Sequence, residues 1–203
     1  MKLYYKPGAC SLASHIVLRE IGKNFELENV DTNTQKTASG ADYTRINPKG
    51  YVPALGLNNG EYLTEGAAIL QYLADQNPEA GLAPKPGTLE RARLQEHLNF
   101  ISSELHKAFS PLFSATISDV EKQNSHTNVG RKLNYIESIL ADGRQYLSGN
   151  TFSVADAYLF VVTNWAHPTG IGLDKWPNIA AFSKRVAGRE KVQAAMRAEG
   201  LLQ

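Results

Sequence analysis

The sole cysteine of this 203-residue chain, Cys10, is the side chain best suited to covalent chemistry. Leu3-Tyr4-Tyr5 before it has the aromatic character of a short strand, Pro7-Gly8 signals a turn, and Ser11 to Glu20 reads as a helix. Cys10 therefore falls where a strand hands over to a helix N-terminus. Backbone N–H groups without intrahelical partners converge there, and the helix dipole favours an anion. A thiol so placed ionises more readily and can act as a nucleophile or contact a ligand. The competing reading is a small buried hydrophobe. It fits poorly with a loop that carries Pro7 and Gly8.

Three further sets carry polar chemistry. Val52-Pro53 precedes a strand and has two readings. One is a plain edge turn; the other is a cis Val–Pro bond that presents the Val52 N–H and C=O to an extended peptide. Thr64-Glu65-Gly66 sits at a helix start. There Glu65 either offsets the dipole or takes a ligand ammonium, while the N–H of Gly66 takes a carboxylate. On a long helix, Asn99, Ser103 and His106 have 4-then-3 spacing, which groups them beside an apolar stripe. Glu104 points far round that helix from His106, which predicts service to different subunits if both meet ligands.

The elements that must position these residues change character near residue 80. Before it the order reads β-α-β-α-β-β-α, with two strands flanking Asn58-Asn59-Gly60 as a hairpin. The stretch from Thr32 to Ala41 reads as loop, and Asp42 to Ile46 as a helical turn. Asn77 to Gly87 holds three prolines and two glycines. These features divide the chain into an α/β domain (1–80), a linker (81–87) and an all-helical domain (88–203). In the second domain Leu94, Leu98, Ile101, Leu105, Phe109 and Leu112 predict one long helix that Pro111 kinks or ends. A second helix is predicted over 128–141. Ser153 with Asp156 three residues on predicts a structural capping box before a helix buried nearly all round.

Composition narrows the function classes. Apolar residues make up 42% and charged residues 20%, with net charge +1, so bulk electrostatics argue against nucleic acid or an anionic membrane as partner. One cysteine rules out an internal disulfide framework and fits a reducing compartment. No apolar run reaches the length of a membrane span and no signal peptide is visible, so a cytoplasmic location is expected.

Tyr4 to Ala13, Asn47 to Leu55, Leu63 to Ile69, Glu104 to Lys107 and Phe152 to Tyr158, taken in register, resemble the cytosolic glutathione transferases, specifically their bacterial beta class. The resemblance covers essentially the whole chain. It implies a thioredoxin-like N-terminal α/β domain, an all-α C-terminal domain and a homodimer with one glutathione site per subunit. By this likeness Cys10 lies near the glutathione sulfur and can form a mixed disulfide with it, while Tyr5 and Ser11 are secondary. Val52 would pair with the cysteinyl backbone across a cis Pro53, and Glu65 and Gly66 would hold the γ-glutamyl head. Asn99, Ser103, Glu104 and His106 would contribute contacts from the helical domain, with His106 near the thiol.

Two departures from the family pattern stand out. The glutathione-contacting lysine of the loop after the second strand falls on Gln35, with Lys36 next to it. Gly66 stands where many members have serine.

The resulting expectation is conjugation of glutathione, as co-substrate, to hydrophobic electrophiles in an apolar pocket lined by Phe109, Phe113 and Trp165. Neither a metal nor a tightly bound cofactor is expected. Two alternatives remain: thiol–disulfide exchange or peroxide reduction through Cys10, and slow-turnover binding of apolar compounds.

Overall fold

Neighbouring residues of a strand face opposite sides of its sheet. In β1 (Lys2–Tyr5) this sends Leu3 to one side and Tyr4 to a cluster with Val30, Tyr43 and Ala54 on the other. The computed structural model describes residues 1–202. It divides into two compact units, Met1–Ala83 together with the segment from Gly188 onward, and Pro84–Ala187.

The first unit is built on a five-stranded sheet of order β3-β2-β1-β4-β5. β2 (Glu26–Asp31) runs parallel to β1, joined to it through α1 (Ser11–Ile21). β4 (Ala54–Gly56) is antiparallel to β1, and β5 (Tyr62–Thr64) is antiparallel to β4 across the predicted Asn-Gly turn. The expected loop at 32–41 contains a strand after all. β3 (Lys36–Thr37) pairs antiparallel with Val30 and Asp31, a partner that no local pattern discloses.

α1 is buried along Ser11–Leu18 because the sheet, α2 (Gly66–Asp75) and α8 (Glu190–Ala198) all pack on it. The segment from residue 188, expected with the helical domain, thus belongs to the sheet-bearing unit. Bidentate Arg189 to Glu20 holds the start of α8, with Nε–Oε1 at 2.8 Å and Nη2–Oε2 at 3.0 Å.

The second unit is helical. α3 (Leu89–Phe100) starts at Thr88, whose hydroxyl accepts from the Arg91 N–H at 3.1 Å. The single long helix expected to follow is interrupted. Ile101–Leu105 forms a π-helical turn, then α4 (His106–Phe109) leads into a 3-10 turn at Ser110–Phe113 that contains Pro111. α5 (Asp119–Leu140) begins earlier than the apolar periodicity indicates, because Ser118 and Glu121 form a capping box ahead of it. α6 (Val154–Asn164) is buried almost throughout, and α7 (Pro177–Ala187) completes the unit. Among the described residues no helix is long and apolar enough to cross a membrane.

The Ser153–Asp156 cap forms as expected. Asp156 accepts from the Ser153 N–H at 2.9 Å, the Ser153 hydroxyl at 2.6 Å and the Leu147 N–H at 2.8 Å. Full burial pushes the Asp156 carboxyl up to about 6 despite those three donors.

Candidate active site

Cys10 is the N-cap residue of α1 and is partly exposed, so it is not entombed in the core. Its loop is closed by Ser11, which is fully buried and exchanges two 3.2 Å hydrogen bonds with the backbone of Lys6. The Ser11 hydroxyl is thereby committed to holding the turn. Tyr5 ends β1 with its ring 6.3 Å from that of His15, and burial together with the Glu199 carboxylate raises its phenol above the ordinary value.

The thiol of Cys10 donates to the Val52 carbonyl at 3.3 Å. The Val52–Pro53 peptide bond is cis. The segment leading to it is fixed from below: the Tyr43 hydroxyl and the Asn47 Nδ2–H both donate to the Tyr51 carbonyl, at 2.7 and 2.6 Å. Asn47 is buried, and its Oδ1 accepts from the Lys49 N–H at 3.2 Å. A pair of polar side chains thus fixes a loop whose sequence reads only as a turn.

Glu65 is the N-cap residue of α2 and adopts φ 71°, a positive value that costs a side-chain-bearing residue of the order of 1–3 kcal/mol. Thr64, just before it, closes β5. The Glu65 side chain is exposed and ion-paired with Lys49. Gly66 opens α2, and a Cβ built on it would meet nothing nearer than Pro53 Cγ at 4.0 Å.

Gln35, the position of the missing loop lysine, also has positive φ, at 57°. Its Nε2 donates to the carbonyls of Thr32 at 2.7 Å and Gly50 at 3.3 Å, while its buried Oε1 has no partner. Its amide is therefore turned onto the backbone. Lys36 is exposed in β3.

On the helical unit, the π-helical turn lies between Asn99 and His106. The Asn99 carbonyl there collects two hydroxyls, Ser102 at 3.1 Å and Ser103 at 2.8 Å. Ser103, expected from the sequence to face a ligand, thus spends its donor on the helix, and the 4-then-3 geometry of an uninterrupted α-helix does not apply. Asn99 and Ser103 are both exposed. Glu104 is ion-paired with Lys132 of α5.

His106 is hydrogen-bonded through Nδ1 to the Tyr158 hydroxyl at 2.7 Å and stands edge-on to Trp165 at 4.7 Å. Burial, helped by the Lys107 cation, lowers its pKa to about 4, so the imidazole is neutral near pH 7. Phe113, 55% exposed, meets Trp165 at 5.3 Å. Phe109 also packs on Trp165 but is fully buried, so it supports that ring rather than lining a surface.

Among the described residues no group of three His, Cys, Asp or Glu is placed to hold a metal ion. The arrangement on the first unit is a thiol at a helix start, a backbone carbonyl beside it and a carboxylate at a second helix start. It offers partners for an extended, zwitterionic thiol peptide.

The fold and these groups define a thiol-handling enzyme of the glutathione S-transferase class. Residues 1–75 match the glutathione S-transferase N-terminal domain and residues 100–190 the C-terminal domain. The chain is 47% identical over 201 residues to glutathione S-transferase GstA of Escherichia coli O157:H7, covering 99% of this chain and all of that one. It therefore belongs to the glutathione S-transferase family. Its branch is the bacterial beta class. The beta-class enzyme of Sphingomonas chungbukensis matches over the full length of both chains at 50% identity, with a TM-score of 0.96. A sphingomonad glutathione S-transferase complexed with glutathione also matches over both full lengths, at 49% identity and a TM-score of 0.95.

Proposed function

We propose that this protein conjugates reduced glutathione to hydrophobic electrophiles, and that Cys10, Val52, Glu65 and Gly66 hold the tripeptide. The observation that carries this reading is the 3.3 Å contact between the Cys10 thiol and the Val52 carbonyl at the N-terminus of α1. It puts a sulfhydryl and a backbone acceptor together at a helix start. The sphingomonad relative in complex with glutathione supports that choice of ligand.

Each group takes a distinct part. The Val52 backbone pairs with the cysteinyl residue across Pro53. Glu65 exchanges the Lys49 ammonium for that of the γ-glutamyl head, whose carboxylate meets the N–H groups opening α2. Holding the tripeptide is an orientation effect. The N-terminus of α1 favours the ionised sulfur, which keeps the nucleophile charged. His106 acts as a neutral hydrogen-bonding group, with Asn99 and Glu104 as further polar contacts. Phe113 and Trp165 set the size and polarity of the electrophile. Tyr5 and Ser11 take secondary parts, Ser11 by closing the loop.

The functional unit is inferred to be a homodimer in a reducing cytoplasmic compartment. Exposed Tyr51 and Tyr62 on the first unit support an apolar contact surface.

The test is capture on immobilised glutathione followed by a panel of electrophiles, disulfides and peroxides. Retention with conjugation of at least one electrophile class is expected; no retention and no conjugation would overturn the reading. A second reading, thiol–disulfide exchange, is favoured by the partial exposure of Cys10. Its thiolate attacks the glutathionyl sulfur of a substrate–glutathione mixed disulfide, giving a Cys10–glutathione mixed disulfide and releasing the substrate thiolate; a glutathione thiolate then attacks the glutathionyl sulfur on Cys10, forming glutathione disulfide and restoring the Cys10 thiolate.

A further inference from the structure

One side of α6 and its C-cap grips the imidazole of His106 at two points. Tyr158 and Trp165 are two helical turns apart, which puts them on the same side. The Tyr158 hydroxyl meets His106 Nδ1 at 2.7 Å, and the Trp165 ring stands edge-on to the imidazole at 4.7 Å. Both residues are buried, and the Ser153–Asp156 cap anchors α6 itself, so the two contacts come from a rigid support. His106 opens α4 directly after the π-helical turn. The extra residue of that turn carries its side chain to an angle that an uninterrupted α-helix would not give it.

The contact at Nδ1 decides where the ring proton sits. A neutral imidazole has one N–H and one bare nitrogen. The phenol is the more acidic donor and the bare nitrogen the more basic acceptor, so O–H to N is the stronger pairing. The 2.7 Å separation agrees, since it suits an O–H donor and is shorter than the ~2.9–3.0 Å usual for an N–H donor. Nδ1 accepts, which leaves the proton on Nε2. That nitrogen has no partner among the described residues. His106 is half-buried, and because Nδ1 faces the buried phenol, Nε2 lies on the open side of the ring. Phe113, exposed beside Trp165 at 5.3 Å, adds a second aromatic ring there. An N–H flanked by such rings suits a flat apolar molecule that carries an oxygen acceptor.

We propose that Tyr158 is a positioning residue that fixes His106 as its Nε2–H tautomer, and that this N–H stabilises the oxygen of an α,β-unsaturated carbonyl as it takes up charge. This rests on the reading of the protein as a glutathione-conjugating enzyme. When glutathione thiolate adds to the β-carbon of such a compound, a C–S bond forms and the C=C π pair shifts to leave an enolate oxygen. A proton from water then completes the α-carbon. A donor aimed at that oxygen acts mainly in the transition state, where the charge appears. Displacement of chloride from benzyl chloride forms no oxyanion, so the same donor contributes little to it.

The test compares the full-length protein with Tyr158→Phe. Nitrogen-15 NMR at neutral pH reads the tautomer, with the His106 signals assigned by their loss in His106→Gln. Kinetics with benzylideneacetone and with benzyl chloride read the selectivity. The expected result is a protonated Nε2 and a bare Nδ1 in the unmodified protein, with both signals moving toward the average of the two tautomers in Tyr158→Phe. In that variant kcat for benzylideneacetone falls at least tenfold, while benzyl chloride turnover and the KM for glutathione stay within twofold. A proton on Nδ1 in the unmodified protein overturns the proposal, as does an unchanged tautomer or unchanged benzylideneacetone turnover in Tyr158→Phe. Equal loss with both electrophiles also overturns it, since that marks a merely structural role. If Tyr158→Phe does not fold, the spectrum of the unmodified protein still decides the tautomer. His106→Phe, which keeps a flat ring without an N–H, must then show the same split between electrophiles, and its absence counts against the proposal. An unmodified protein that conjugates other electrophiles but not benzylideneacetone overturns this inference alone; one that conjugates none overturns the functional reading as well.

Discussion

The Cys10 thiol donates to the Val52 carbonyl oxygen at 3.3 Å, across the turn that precedes the cis Pro53. The same carbonyl is the acceptor an incoming peptide N–H would need. On the proposed reading, ligand N–H and thiol would share that oxygen, which has two lone pairs, and this would bring the ligand's sulfur beside that of Cys10.

Replacing that sulfur separates the two reactions. Cys10→Ser is expected to retain conjugation within about tenfold, since helix-terminal N–H groups still stabilise a bound thiolate. Disulfide exchange should disappear, because the attacking atom is gone. The check is parallel assay with an electrophile and a mixed disulfide; exchange that persists in the serine variant would remove Cys10 from the reaction.

Glu65 combines an unfavourable backbone conformation with an exposed ion pair to Lys49. The pair contributes no more than roughly 0–1 kcal/mol to stability. Glu65→Gly relieves the positive φ but loses the carboxylate, so denaturant titration should show stability unchanged or raised by up to about 1 kcal/mol. The KM for glutathione should rise at least tenfold. Lost stability together with unchanged KM would reverse the assignment.

Gly66 has room for a side chain, since the nearest neighbour of an added methyl group would be Pro53 Cγ at 4.0 Å. Gly66→Ser removes the excess freedom of glycine in the unfolded chain, which is worth about 0.4–1 kcal/mol. It also adds a hydroxyl beside the N–H groups that open α2. Calorimetric titration should show glutathione binding a few-fold tighter and a higher Tm. Weaker binding would place the γ-glutamyl carboxylate elsewhere.

Two groups perturbed by burial, His106 and Asp156, pull the pH dependence of stability in opposite directions. His106 is lowered to about 4, below its unfolded value near 6.5, so its contribution is present above that unfolded value and is lost as pH falls toward 4. Asp156 is raised to about 6 from about 3.8, so its contribution is present at low pH and is lost as pH rises through that window. At about 1.4 kcal/mol per unit, each amounts to roughly 3 kcal/mol, and between pH 4 and 6 they nearly offset. Asp156→Asn should therefore make stability climb from pH 4 to 6.5, and His106→Gln should make it decline over the same range. Urea titrations at three pH values would show this; parallel slopes in the two variants would contradict it. A proton resonance of His106 that titrates near 6.5 would do the same.

Local signals carry much of the design into view. Cys10 is legible because proline, glycine and a helix start surround it, and the hairpin because Asn59-Gly60 admits few other conformations. The caps at Thr88 and Ser153 are written in residue type and spacing, and Ser118 with Glu121 can be read in the same way to start α5 at Asp119. What escapes depends on partners distant in the chain. β3 exists only against β2. His15 and Glu199 stand 184 residues apart and meet through the packing of α8 on α1. The π-helical turn at Ile101–Leu105 has no pattern of its own, and an apolar stripe with 3-4 spacing conceals the extra residue. Gln35 stands out as a departure from the family pattern, but the inward turn of its amide depends on the backbone of Gly50.

Because α8 packs on α1, the helical unit is in effect inserted within the sequence of the sheet-bearing one. During synthesis β1 to β5 leave the ribosome first, yet they wait for α8 until all of Pro84–Ala187 has been made. The Gly8 N–H donates to the Glu199 carboxylate only then. A polypeptide stalled within the insertion would carry every strand and its thiol but not the cover over α1, so the half begun first is the half finished last.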